Sequence, residues 1–444
     1  MKSKSSLVSN YRPISLLPAF SKILEKNIHH RLYDFLTSNN LLIPNQYGFR
    51  KSLSTDLAII QLYDEIVQSL SKKEHSIGIF MDLSKAFETI DHQILLKKLN
   101  NYGIRGTALT WFNDYLNNRQ QYVSLQSEES SKLTIKCGVP QGSILGPLLF
   151  LVYVNDIIQS SPLLTFILFA DDTNVFYSHK NLHTLITTLN TELEKVHTWF
   201  KCNKLSLNIS KTNFMYFKNA HSPDVDCNIQ INGLPLARKQ STKFLAVTID
   251  HHLTWSEHIH HISNTVSKNI GILYKLRNLI SPKSLVILYN SLILPHMNYC
   301  NIVWGNSSKT QINTLLLLQK KALRICTLSN YLAHTTPIFK QLTTLKINDL
   351  HTYQSAIFMY KYTNNMLPIS FRNFFNYNSS VHSYPTRHSA DIHLNNPKTL
   401  IAHKSIRHHG PDIWNSLPDS HKSRTSLFSF KATIKKYIIE QYTI

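Results

Sequence analysis

The stretch Leu163-Leu164-Thr165-Phe166-Ile167-Leu168-Phe169-Ala170-Asp171-Asp172 carries an apolar run straight into two adjacent carboxylates. Residues 166–170 read as a strand and 174–177 as its return, which puts Asp171 at a strand–turn–strand. A charge buried without a partner is strongly unfavourable, so the pair needs compensation. A divalent cation held by carboxylate oxygens would supply it. A third carboxylate, Asp82, follows a similar run, Ile77-Gly78-Ile79-Phe80-Met81. Two strands of one sheet can bring all three to one spot. Such a cluster suits two Mg²⁺ ions about 3.5–4 Å apart, one at an attacking hydroxyl and one at a phosphate leaving group.

Outward from these strands, apolar spacing predicts helices over residues 14–36 and 55–70, with Lys22, Glu25 and Lys26 on the outer face of the first. A hairpin is expected across the polar tip 127–132, a very apolar helix over 145–158 and a long amphipathic one over 182–203. Residues 244–249 read as a single strand. From Trp255 the pattern becomes all-helical, and beyond about residue 335 it is mixed and rich in His and Asn. Helices with interleaved strands, the acidic residues on adjacent strands of one sheet, define an α+β fold.

Composition narrows the function. With 444 residues the chain exceeds a single core, and 43% hydrophobic content with 21 Tyr and 21 Phe excludes a disordered one. A net charge of +21 fits a polyanionic partner, nucleic acid first. Five scattered Cys without a C-x-x-C pair exclude a disulfide framework and a zinc knuckle, and imply nucleus or cytoplasm. The doublets His29-His30, His251-His252, His260-His261 and His408-His409 read as surface residues, since adjacent side chains do not converge on one metal. The opening residues lack a signal-peptide core, and no apolar run approaches the ~20 residues of a membrane span.

Further motifs stand in a telling order. Phe80-Met81-Asp82-Leu83-Ser84-Lys85-Ala86-Phe87, Gly138-Val139-Pro140-Gln141-Gly142-Ser143 and Phe169-Ala170-Asp171-Asp172 are joined by Asn10-Tyr11-Arg12-Pro13-Ile14-Ser15-Leu16 and Tyr47-Gly48-Phe49-Arg50. Asn208-Ile209-Ser210-Lys211-Thr212, Pro295-His296-Met297-Asn298-Tyr299-Cys300 and the stretch from His409 to Pro418 extend the set. Together they resemble the reverse transcriptases of non-LTR, LINE-type retrotransposons, the Jockey and CR1 groups especially. The resemblance implies a right-hand polymerase: fingers and palm (an antiparallel sheet plus helices) over 1–250, a helical thumb over 251–334, and a helical or irregular C-terminal region over 335–444. It implies RNA-directed DNA synthesis with two Mg²⁺ ions, or Mn²⁺ in their place. The implied partners are an RNA template, a DNA primer, their RNA–DNA hybrid and dNTPs, with no membrane.

The same resemblance assigns roles. Asp82, Asp171 and Asp172 would be the metal carboxylates, with the backbone carbonyl of Leu83 completing one shell. Phe87 would pack under the incoming sugar and clash with a 2′-hydroxyl. Gln141 and Gly142 would lie beside the dNTP and template base, where glycine permits close approach. Arg12 would meet the triphosphate and Arg50 the template, through the bidentate guanidinium fork. Lys211 would protonate the departing pyrophosphate. The basic helices that carry Lys268, Lys275, Arg277, Lys283, Lys320, Lys321 and Arg324 fit a thumb that would track a duplex by its shape and backbone, with no contact residue singled out.

Three features are read as departures from the family: the chain is expected to lack the upstream endonuclease of such elements, Glu88 replaces an aspartate, and Ala246 stands where such elements carry Gly. These features suit a 5′-truncated copy, so the alternative is a catalytically inactive nucleic-acid-binding remnant.

Overall fold

Alternation in the strands builds the centre of the molecule, a computed structural model that describes residues 14–125, 128–220, 222–381 and 389–443. Strand β1 (His75–Met81) lies between β3 (Asp172–His179) and β4 (Asn213–Phe217), antiparallel to both. β2 (Thr165–Phe169) pairs with β3 at one edge, and the short strand Ala237–Arg238 runs parallel to β4 at the other. Successive side chains point to opposite faces. Ile77, Ile79, Met81, Phe166, Leu168, Val175, Phe214 and Tyr216 therefore join one core with helices α3 (His92–Asn101), α4 (Thr107–Leu116), α5 (Leu145–Val154) and α6 (Leu182–Cys202). Phe80, Ile167, Phe176, Met215 and Phe217 join a second, behind helix α2 (Thr55–Ser71).

The helical spacing expected from the sequence is realised, with instructive differences. Helix α1 (Ala19–Ser38) starts late because Pro18 disfavours a helical conformation at Leu17. Glu25, expected on its outer face, is 1% exposed. It has turned inward to accept hydrogen bonds from the Ile144 amide and the Tyr115 hydroxyl, a gain that local polarity does not reveal. In the expected hairpin Gln120–Gln121 pairs with Leu133–Thr134, and Glu128–Glu129, read as part of the polar tip, pairs with Ser124–Leu125. The single strand expected over 244–249 is two, Ser241–Phe244 and Val247–Asp250, antiparallel and joined by Leu245-Ala246. Both joining residues have positive φ, 46° and 65°. Turns of this hand are ordinarily signalled by Gly or Asn, and neither is present.

Helices α7 (Ser256–Leu276), α8 (Pro282–Leu292) and Lys309–Cys326 fill the stretch where a helical thumb is expected. The region after 335 is chiefly helical, with Ile347–Thr363, Ile406–Ser416 and Leu427–Glu440 as its larger elements. One hydrophobic core runs from α2 through the thumb into these helices. Buried Gln319 of the thumb crosses residue 335: its Nε2 donates to the Leu345 carbonyl (2.9 Å), and its Oε1 accepts from the Ile347 amide (2.9 Å). The Arg407 guanidinium grips Asp64 on α2 with two bonds of 2.5 and 2.8 Å. Among the described residues no helix is long and apolar enough to cross a membrane.

Candidate active site

Asp82 is the first residue beyond β1, and its backbone is pinned on both sides. Its amide donates to Thr212 Oγ1 (3.3 Å), and its carbonyl accepts from the Asn208 amide (2.8 Å). Thr212 is fully buried, so the loop before β4 is a rigid support. The next residue, Leu83, pairs with Leu207 in a two-residue ladder. Lys211 comes from that same supporting loop, and its Nζ stands 3.8 Å from Asp82 Oδ2. Both side chains are about half exposed or more, so this pair contributes little to stability.

The β2–β3 hairpin supplies the other carboxylates. Phe169 pairs with Asp172, leaving Ala170-Asp171 as a two-residue turn. Ala170 sits at φ 55°, a conformation that costs a residue with a Cβ about 1–3 kcal/mol. The last register pair of β1 on β3 is Met81 with Thr173, so Asp82 continues the ladder opposite Asp172. The three expected carboxylates thus share one end of the sheet.

A second wall forms around the glycine turn. The Val139 amide donates to the Phe87 carbonyl (2.9 Å), and Gln141 Nε2 to Glu88 Oε1 (3.3 Å). Gly138, at φ 86°, admits no side chain, because a Cβ would stand 2.6 Å from the Glu88 carbonyl oxygen. Gly142 also has positive φ, 104°, and the Gln141 carbonyl accepts from the Ser15 amide (2.8 Å). Buried Glu25 fastens the start of α5, accepting from the Ile144 amide (2.7 Å) and the Tyr115 hydroxyl (2.9 Å). The Phe87 ring stacks on Phe150 (4.6 Å) and meets Phe49 edge-on (6.2 Å), which fixes its orientation.

Arg50 is partly buried and turned into its own loop: Nη1 donates to the carbonyls of Ile43 (2.5 Å) and Gln46 (3.4 Å). Burial lowers its pKa. In this structure it braces residues 43–50. Arg12 lies outside the described residues. The supporting roles of Glu25, Gln46 and Thr212 escaped the sequence reading. Gln46 directly precedes a quoted motif, but a polar loop residue carries no periodic signal.

The donor set suits a hard cation. Among the described residues, no three Asp, Glu, His or Cys side chains converge closely enough to enclose one. Asp82 and Asp171 are partly exposed and Asp172 is exposed, so the carboxylates form an open rim. Mg²⁺ fits such a rim, since it keeps several waters and takes one or two carboxylates together with substrate phosphates.

Fold and rim define a polymerase palm of the α+β class. Residues 2–249 match the family model described as reverse transcriptase (RNA-dependent DNA polymerase), and the chain belongs to that family. It is 28% identical over 419 residues to the RNA-directed DNA polymerase from mobile element jockey of Drosophila melanogaster, covering 92% of this chain and 44% of that protein. It is 29% identical over 367 residues to the probable RNA-directed DNA polymerase from transposon BS of the same fly, covering 78% and 39%. The chain thus spans less than half the length of these relatives. Apo telomerase from Candida Tropicalis superposes with a TM-score of 0.41 at 10% identity, over 74% of this chain and 55% of that one.

Proposed function

We propose that this chain is an RNA-directed DNA polymerase that extends a DNA primer on an RNA template, in nucleus or cytoplasm. The observation that carries this reading is the β1–β3 register, Met81 opposite Thr173, which aligns Asp82 with Asp171-Asp172. Asp82, Asp171, Asp172 and the Leu83 carbonyl would hold two Mg²⁺ ions, or Mn²⁺. Such cations, when bound, lower the pKa of the primer 3′-hydroxyl and offset charge on the triphosphate. The chain's own residues do the rest. The Phe87 ring, fixed against Phe150, occupies the space of a 2′-hydroxyl and so selects dNTPs. Gln141 and Gly142 line the base-pair side. The exposed Lys211 ammonium swings from Asp82 to protonate pyrophosphate. Arg12 takes the triphosphate. Arg50 takes the template once binding frees it from the Ile43 and Gln46 carbonyls. The basic thumb residues follow the RNA–DNA hybrid.

The test is extension of a DNA primer on an RNA template with labelled dNTPs, wild type against the Asp171→Ala/Asp172→Ala double variant. Wild type is expected to extend and the double variant to fall to background. Equal rates would sink the reading. The second reading, an inactive nucleic-acid-binding remnant, is favoured by Ala246 at φ 65°. It predicts salt-sensitive hybrid binding with no extension by either protein.

A further inference from the structure

The geometry points to Gln46 as a positioning residue that holds the Asp171-Asp172 turn in its working orientation. Residues 45–47 lie along β2 as an added edge. The Leu168 amide donates to the Asn45 carbonyl (2.9 Å), the Tyr47 amide to the Leu168 carbonyl (2.8 Å), and Asn45 Nδ2 to the Phe166 carbonyl (3.0 Å). From this edge the Gln46 side chain, 3% exposed, reaches the Ala170 peptide unit. Its Oε1 accepts from the Ala170 amide (2.9 Å) and from the Gly48 amide (2.8 Å), while Nε2 lies 3.4 Å from the Ala170 carbonyl.

This placement is more than a satisfied core amide. Ala170 is both strained, at φ 55°, and buried, at 7% exposure. A two-residue turn leaves its N–H aimed inward, and without Gln46 that donor has no acceptor among the bonds described. An unmet buried donor is costly, so the Ala170 peptide would rotate. Asp171 follows it directly, and any rotation redirects the carboxylates. Gly48 serves the same contact: a Cβ there would stand 2.3 Å from the Ala170 nitrogen. Arg50 in turn holds the Gln46 carbonyl. Gln46 and Gly48 therefore act as one clip on the turn.

The inference rests on Asp171 and Asp172 being the metal carboxylates, and its test separates the two claims. The variants are Gln46→Ala and Gly48→Ala in the full chain, beside wild type and the Asp171→Ala/Asp172→Ala control. Hydrogen exchange of the 166–174 peptide reads the clip without any activity. Mn²⁺ binding to the protein with primer–template, followed by electron paramagnetic resonance, reads the rim. Expected for both variants are faster exchange confined to that peptide and a weaker Mn²⁺ midpoint. The kcat should drop about 10²-fold, as a displacement near 1 Å can cause. The KM for dNTP and the affinity for hybrid should stay within about two-fold, since neither Gln46 nor Gly48 is assigned to bind substrate. Unchanged exchange in Gln46→Ala, or a kcat loss with an unmoved Mn²⁺ midpoint, overturns the role. Wild type no faster than the control instead overturns the polymerase reading, and the exchange result still judges the clip.

Discussion

At the residue scale, the positions that matter most bear the wrong amount of side chain for their backbone. Leu245 and Ala246 both occupy the left-handed region, and Tyr299 OH bonds the Leu245 carbonyl (2.7 Å) to hold the turn shut. Ala246→Gly should raise the unfolding free energy by about 1 kcal/mol, seen as a higher urea midpoint with unchanged slope. No gain would mean that the turn is not strained in solution. Phe87 gives a second prediction. Phe87→Val, which shortens the wall next to the sugar, should raise kcat/KM for rNTPs relative to dNTPs by at least about 10-fold. Unaltered selectivity in paired nucleotide assays would remove its role as a gate. Asp82, Asp171 and Asp172 were legible in the sequence because charge at the end of an apolar strand is conspicuous. Gln46 and Glu25 were not, because an inward-facing polar residue is written with the same letters as an outward-facing one.

At the element scale, two helices carry buried imidazoles that tie stability to pH. Burial, with His261 and Lys243 adding repulsion, pushes His258 on α7 down to about 4. Burial and then neighbouring His409 push His351 down to about 3. Both stay neutral in the folded chain while the unfolded chain protonates near 6.5. The unfolded state therefore binds more protons as pH falls, and stability is lost from about pH 6.5 down to about pH 4 for His258 and about pH 3 for His351. Each group contributes a slope of up to about 1.4 kcal/mol per pH unit. His351→Phe, which keeps a ring against His409 (5.1 Å), should flatten the pH dependence of the urea midpoint. An unchanged slope would exclude His351 as a contributor. Long elements such as α2, α6 and the central strands were legible from apolar period alone. The Leu245-Ala246 hairpin was not, because its turn hand comes from packing rather than from glycine or asparagine.

At the scale of the whole molecule, the Asp64–Arg407 pair joins positions remote in sequence. Asp64 is buried, and its desolvation, which raises its pKa, is opposed by the Arg407 guanidinium. That guanidinium also donates to the Phe374 carbonyl (2.6 Å) and lies 4.0 Å over the Phe374 ring. Removing one partner strands a buried charge, so Arg407→Ala should cost about 3–5 kcal/mol in chemical denaturation. A cost below about 1 kcal/mol would place the pair among ordinary surface bridges. A single sequence gives no sign of this pairing, nor of the shared core, since neither follows from local period.

Helix α2 is the element on which this arrangement turns, because it closes the back of the sheet while its own outer side meets Arg407 and the Ile401 carbonyl. A ribosome delivers the sheet and α2 long before it delivers those late residues. The nascent palm must therefore wait with an apolar flank uncovered, open to chaperones and proteases. A chain that ended before Arg407 would hold every rim carboxylate yet leave Asp64 without its guanidinium and this flank of α2 uncovered.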